Sequence, residues 1–150
     1  MGAVRRTADT TAAAELVEFS PGFIQKVVSI AGLAILKIVA WADRGRDNPK
    51  DAQDLIFIMD SYAVAGNFDR VYEVDGVIEA GDYDPDAAGV YLLGLDMRRM
   101  VSENTLEEVK QIIEHDFDRL LTDMIKPLRH LENVEERVTS RLRLLQQGLA

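Results

Sequence analysis

There is no cysteine among the 150 residues, which removes structural disulfides, thiolate metal sites and cysteine nucleophiles together. Basic charge is also in short supply: 17 Lys and Arg face 26 Asp and Glu, a formal net charge of -9. A surface of that sign does not hold nucleic acid by general electrostatics, because phosphate binding needs a basic face, although it leaves room for a local basic patch. No apolar run reaches the length of a membrane span, and the longest, from Val27 to Ala42, contains Lys37. The N-terminus carries Arg5 and Arg6 without an apolar stretch directly behind them, and Arg6 stands where a myristoylation signal requires Ser or Thr. With no export or lipid signal, a cytoplasmic protein with no membrane contact is the expectation. Glycine loops of the Walker or dinucleotide type are missing as well.

What is present is enough apolar material, 47% of residues, for one domain with a real core. Residues 1–14 are small and polar, the composition of a disordered leader. Residues 15–150 read as a single mainly α domain, a helical bundle with one or two short N-terminal strands. Those strands are "LVEFS" and "FIQKVVS", set around Pro21-Gly22. Ser29 is placed to cap a helix from Ile30 to Asp43 that is apolar on every face and is therefore expected at the centre. Asn48 followed by Pro49 opens a second helix to Tyr62, with Leu55, Ile58, Met59 and Tyr62 as its buried face.

Residues 67–81 read as short helical pieces broken near Asp75-Gly76, and Asp84-Pro85 starts a helix that runs to Val101. Thr105 and Glu108 have the spacing of a capping box. Leu106, Val109, Ile112, Ile113, Leu120 and Met124 then continue one long amphipathic helix, which Pro127 ends or kinks. A last helix carries Leu131, Val134, Val138, Leu142, Leu145 and Leu149 and is expected to terminate near Gly148. Its seam reads as packing on the chain's own core, with a partner surface as the alternative.

The unusual stretch is "LAILKIVAWADRGRDNPKDAQDL". Lys37, Trp41 and Arg44 are spaced by four and three, which puts them on one side of the first helix. A lysine on an otherwise apolar helix must reach solvent, pair with a carboxylate or face a bound anion, since burying an unpaired ammonium is prohibitively costly. The second helix starts at Pro49, Lys50 and Asp51, and its free amides offer a seat for phosphate with Arg44, Arg46 and Lys50 alongside. Asp51 and Asp54, three apart, share one face. Spacing leaves three roles open to them: pairing with Lys37 or Arg44 to fasten the hairpin, holding a metal-bound phosphate, or accepting a proton.

The same string resembles a motif of the AbiEii-type (abortive-infection toxin) nucleotidyltransferases: a leucine-rich helix carrying a lysine, an arginine after it, and a Lys-Asp-x-x-Asp-Leu helix start. The matching positions are Lys37, Arg44, Lys50, Asp51, Asp54 and Leu55. The later "DYDPDAAGVYLLGLDM" also resembles a segment of related bacterial nucleotidyltransferases. The resemblance implies a chain corresponding to the C-terminal, helical part of such a protein, using NTP and Mg²⁺ to move a nucleotidyl group, with tRNA acceptor ends as substrates in some toxin members. It implies that Lys37 contacts NTP phosphates and that Asp51 serves as base or organiser. Arg44, Lys50 and Asp54 would then support the polyphosphate or orient their neighbours.

The departure from the pattern is as informative. Such proteins carry a Gly-Ser turn and a strand-borne aspartate pair upstream, because in-line phosphoryl transfer needs carboxylates to hold divalent metal. Nothing before Lys37 fits. Asp82, Asp84 and Asp86 lie downstream, and Pro85 among them points to a helix cap rather than a metal site. His115 and His130 are isolated and read as surface or capping residues. No signature turn marks any serine as a hydrolase nucleophile. The expectation is a nucleotidyltransferase-like chain, truncated or one half of a split enzyme, inactive alone and completed by a missing catalytic segment or partner subunit. The alternative is a non-catalytic helical interaction module that docks on a partner or self-associates as a homo-oligomer.

Overall fold

A computed structural model of the chain describes residues 29–150; the expected leader and N-terminal strands lie outside the described residues. Within them the fold is mainly α, with eight α-helices and no strand. Ser29 acts as its position predicts, its Oγ accepting the backbone N–H of Gly32 at 3.1 Å, and α1 (Ile30–Arg44) follows. At the start of α2 (Lys50–Ser61), Asn48 Oδ1 accepts the backbone N–H of Lys50 at 3.0 Å, and Pro49 occupies the cap position itself. Leu55, Ile58, Met59 and Tyr62 are all buried, as their spacing requires.

A π turn (Ala63–Asn67), with Gly66 at a φ of 88°, redirects the chain into α3 (Phe68–Glu73). A break at Asp75-Gly76 separates α3 from α4 (Val77–Ala80), as expected. Asp84 then caps α5 (Pro85–Met100) by accepting the Asp86 N–H at 3.0 Å. The capping box expected at Thr105 and Glu108 is displaced: Ser102 caps α6 (Glu103–His115), accepting the N–H of Thr105, which is buried in the first turn. The single long helix expected here is also two. Asp116 leaves helical geometry, and α7 (Phe117–Ile125) starts in a new direction, so that Val109 and Ile113 on one piece and Leu120 and Met124 on the other are all buried. A 3₁₀ turn (Lys126–Leu128) around Pro127 leads on towards α8 (Val134–Leu149).

The helix at the centre is α5, which packs against α1, α2, α3, α4 and, most extensively, α8. This corrects the expectation that the first helix is central. α1 buries Ala34, Ile35, Ile38 and Trp41 but leaves Ile30 and Leu33 39% and 38% exposed. α5 and α8 run parallel, with Asp84 near Arg141 towards one end and Arg98 donating to the Ala150 carbonyl at the other. Their backbones touch at Gly94 and Gly148, where a Cβ on Gly148 would lie 2.4 Å from the Tyr91 carbonyl oxygen and 2.9 Å from Gly94 Cα. α8 ends at Leu149, next to Gly148 as expected, and Gly148 is in addition the residue through which the two helices touch. Leu131, expected on the same apolar seam, precedes the helix and is exposed.

The Gly148 contact is with backbone, which has nowhere to go. Gly148→Ala should therefore destabilise the protein by about 1–3 kcal/mol, the usual cost of overpacking, seen as a lower urea midpoint with an unchanged denaturant slope.

Candidate functional site

α1 and α2 form an antiparallel hairpin across the loop 45–49, and the motif residues meet along its seam. Lys37 Nζ lies 2.8 Å from Asp54 Oδ2 and 3.6 Å from Asp51 Oδ1. Arg44 grips Asp51 with a fork, Nε donating to Oδ2 at 2.9 Å and Nη2 to Oδ1 at 3.3 Å. The Asp51 side chain is only 3% exposed, whereas those of Lys37, Asp54 and Arg44 are 25%, 34% and 63% exposed. Asp51 is thus the buried centre of the cluster and the cations its partly wetted shell. Lys50 is exposed and forms no ion pair among the described residues, so the structure brings together four of the five candidate positions.

The hydrogen bond to Asp54 raises Lys37 above the ordinary lysine value, against the opposing effect of partial burial and with the Asp51 charge adding to it. Arg44 is raised in the same way by its bonds to Asp51. An ammonium has three donors and a guanidinium five. The contacts with Asp51 and Asp54 engage no more than two of each, which leaves donors on both cations for solvent or an incoming anion.

Trp41, expected to look the same way as Lys37 and Arg44, turns into the core. It is fully buried, its Nε1–H donates to Asp123 Oδ2 at 2.9 Å, and the Arg119 guanidinium lies 4.1 Å from its ring centroid. Asp123 also pairs with Lys126 at 3.0 Å. No motif in the sequence points to this contact, because Trp41 and Asp123 lie 82 positions apart.

A second polar network lies at the turn between α2 and α3. The Asp96 carboxylate accepts from the Tyr62 hydroxyl, and the two Arg70 nitrogens Nη1 and Nη2 each donate to it at 2.8 Å. Arg70 Nη1 also donates to Asn67 Oδ1 at 2.9 Å, and Asn67 Nδ2 donates to the Tyr62 carbonyl. Burial works against the charge on Asp96, but the Arg70 and Tyr62 hydrogen bonds prevail and hold its carboxyl below the usual value. Burial, with the Asp96 carboxylate, pushes the Tyr62 phenol up. The members satisfy one another, which makes this network a clamp rather than a reaction centre.

Among the described residues, no group of three or more acidic or histidine side chains is gathered to hold a metal. Asp84 is occupied as the α5 cap, and His115 and His130 are exposed. A groove of about 1010 Å³ runs along α8 past Asp82, Glu136 and Arg143, and no hairpin motif residue lines it. No described helix is long and apolar enough to cross a membrane. Searches of protein-family models, curated proteins and solved structures find no match to this chain.

Two outcomes test this geometry. Asp51→Asn keeps the shape but leaves Arg44 and Lys37 without their shared charge; both still reach water, so the loss should be about 1–2 kcal/mol rather than the larger cost of breaking a fully buried pair, measured by chemical denaturation. Because the Asp96 carboxyl is depressed in the fold, its stabilisation is complete above the ordinary aspartate value of about 4 and is lost as pH falls through the lower folded value. Wild type should therefore lose stability more steeply than Asp96→Asn on acidification below about pH 4, read from melting temperatures across a pH series.

Proposed function

We propose that this chain is a nucleotidyltransferase-like helical module whose α1–α2 hairpin seats the phosphates of an NTP on Lys37 and Arg44. The observation that carries the reading is the meeting of Lys37, Arg44, Asp51 and Asp54, the ordered residues of the nucleotidyltransferase-like motif, in one partly exposed cluster. Asp51 acts as organiser: buried and forked by Arg44, it holds both cations in place. Asp54, a third exposed, is the partner Lys37 exchanges for a phosphate. Lys50 and Arg46, at the wetted start of α2, add long-range attraction.

Two cations and two carboxylates cancel, so a triphosphate needs Mg²⁺ brought with it to soften its own charge. The hairpin carboxylates do not fit a resident Mg²⁺ because both turn towards cations. On this reading the metal-holding carboxylates of a transfer reaction belong to another segment or a partner subunit, and these helices alone are catalytically silent. A tRNA acceptor end, the acceptor that the resemblance suggests, would be held there too, since a net charge of -9 gives this chain no general attraction for RNA.

The second reading, a non-catalytic module that docks on a partner or a second copy, draws on Val64, Phe68 and Tyr72. All three are exposed around the α2–α3 turn, with the last two rings 5.5 Å apart. Light scattering decides the self-association branch: a clean monomer at high concentration removes it. For the first reading, millimolar ATP with Mg²⁺ should raise the melting temperature by about 2–4 °C for each kcal/mol of binding, and Lys37→Ala should abolish the rise. No shift, or one that survives Lys37→Ala unchanged, would sink the phosphate seat.

A further inference from the structure

The hairpin seam has an order along its length. Nearest the loop is the Arg44–Asp51 pair; next comes Lys37 with Asp54. In an antiparallel hairpin, stepping back four residues on α1 and forward three on α2 moves the same way, away from the loop. Those steps reach Leu33 and Phe57. Residues three or four apart share a helix face at about 5–6 Å between Cβ atoms, so both side chains stand about one turn beyond the Lys37–Asp54 pair. Neither is buried: Leu33 is 38% exposed and Phe57 73%. One turn beyond the ion pairs, the outer surface of the hairpin therefore carries two exposed apolar side chains, and one of them is an aromatic ring open to solvent.

We infer that Phe57 is the platform on which the base of the bound nucleotide stacks while its phosphates lie towards Lys37 and Arg44. This rests on the phosphate seat proposed above and adds the half of the ligand that the seat does not address. The ligand class that fits is a flat aromatic group joined to a polyanion. An aromatic platform accepts any base, because every base has a π face, so the site favours nucleotides over bare polyphosphate without strong choice among them.

The test compares Mg²⁺-ATP with Mg²⁺-bound inorganic tripolyphosphate by titration calorimetry. Wild type should bind ATP about ten-fold more tightly than tripolyphosphate, the ratio one base stack supports. Phe57→Ala should bring that ratio close to one while leaving tripolyphosphate affinity unchanged; Phe57→Tyr should retain it; Lys37→Ala should weaken both ligands. Because Phe57 is largely exposed, its variants should fold, as checked by circular dichroism. An unchanged ATP-to-tripolyphosphate ratio in Phe57→Ala overturns the platform and leaves the phosphate seat standing. Equal weakening of both ligands, or a change of oligomeric state in that variant, also overturns it. If wild type binds neither ligand, the seat fails and the platform with it.

Discussion

A carboxylate cut off from water must be answered by cations, and Asp51 is cut off almost completely. One oxygen is held by Arg44 Nε and the other by Arg44 Nη2, with the Lys37 ammonium 3.6 Å from the latter. That requirement sets the register of α1 against α2, because the pairing must let both Lys37 and Arg44 of α1 reach the same carboxylate on α2. It also decides which groups stay wet. With Asp51 at the bottom, Lys37, Asp54 and Arg44 are left at the surface, and the two cations keep donors to spare.

The hairpin is held in turn by the rest of the bundle. Trp41, on α1 between Lys37 and Arg44, anchors the helix to α7 through Asp123, so the outward lean of the two cations is coupled to the inward lean of the indole. α2 is fixed from its far end by Tyr62 on Asp96 and from its side by the Asp60 pair with Arg137 at 3.0 Å. Both contacts lead back to the packed pair α5 and α8, where the Gly94–Gly148 contact allows backbones to touch. Close packing transmits position, so a hairpin seated on these helices keeps its geometry without depending on its exposed loop.

Much of this was legible in the residues. Ser29 and Asp84 as caps, the buried face Leu55, Ile58, Met59 and Tyr62, and the break at Asp75-Gly76 follow from local chemistry and period. The pairing of Lys37 and Arg44 with Asp51 and Asp54 was one of three roles that spacing left open, and it was accessible because all four lie within two helical turns of one short loop. The second polar network was not accessible in this way. Tyr62 just past the end of α2, Arg70 on α3 and Asp96 on α5 are far apart in the chain, and nothing in their local sequence marks them as partners. The division of the α6–α7 segment at Asp116 was hidden for a related reason: the apolar period runs on across it, so only the change of direction that buries both faces reveals it.

The sequence by itself determined where most helices begin, which of their faces are apolar, and that a lysine, an arginine and two aspartates crowd one hairpin, because capping, periodicity and charge spacing act over a few residues. Only the tertiary structure decided that α5 rather than α1 lies at the centre, that Gly148 is also a backbone contact, that Trp41 faces inward, and that Asp51 is buried while its partners are not. Those outcomes depend on which surfaces meet across long sequence separations, and the volume and polarity of the opposing surface are not written next to the residue they decide.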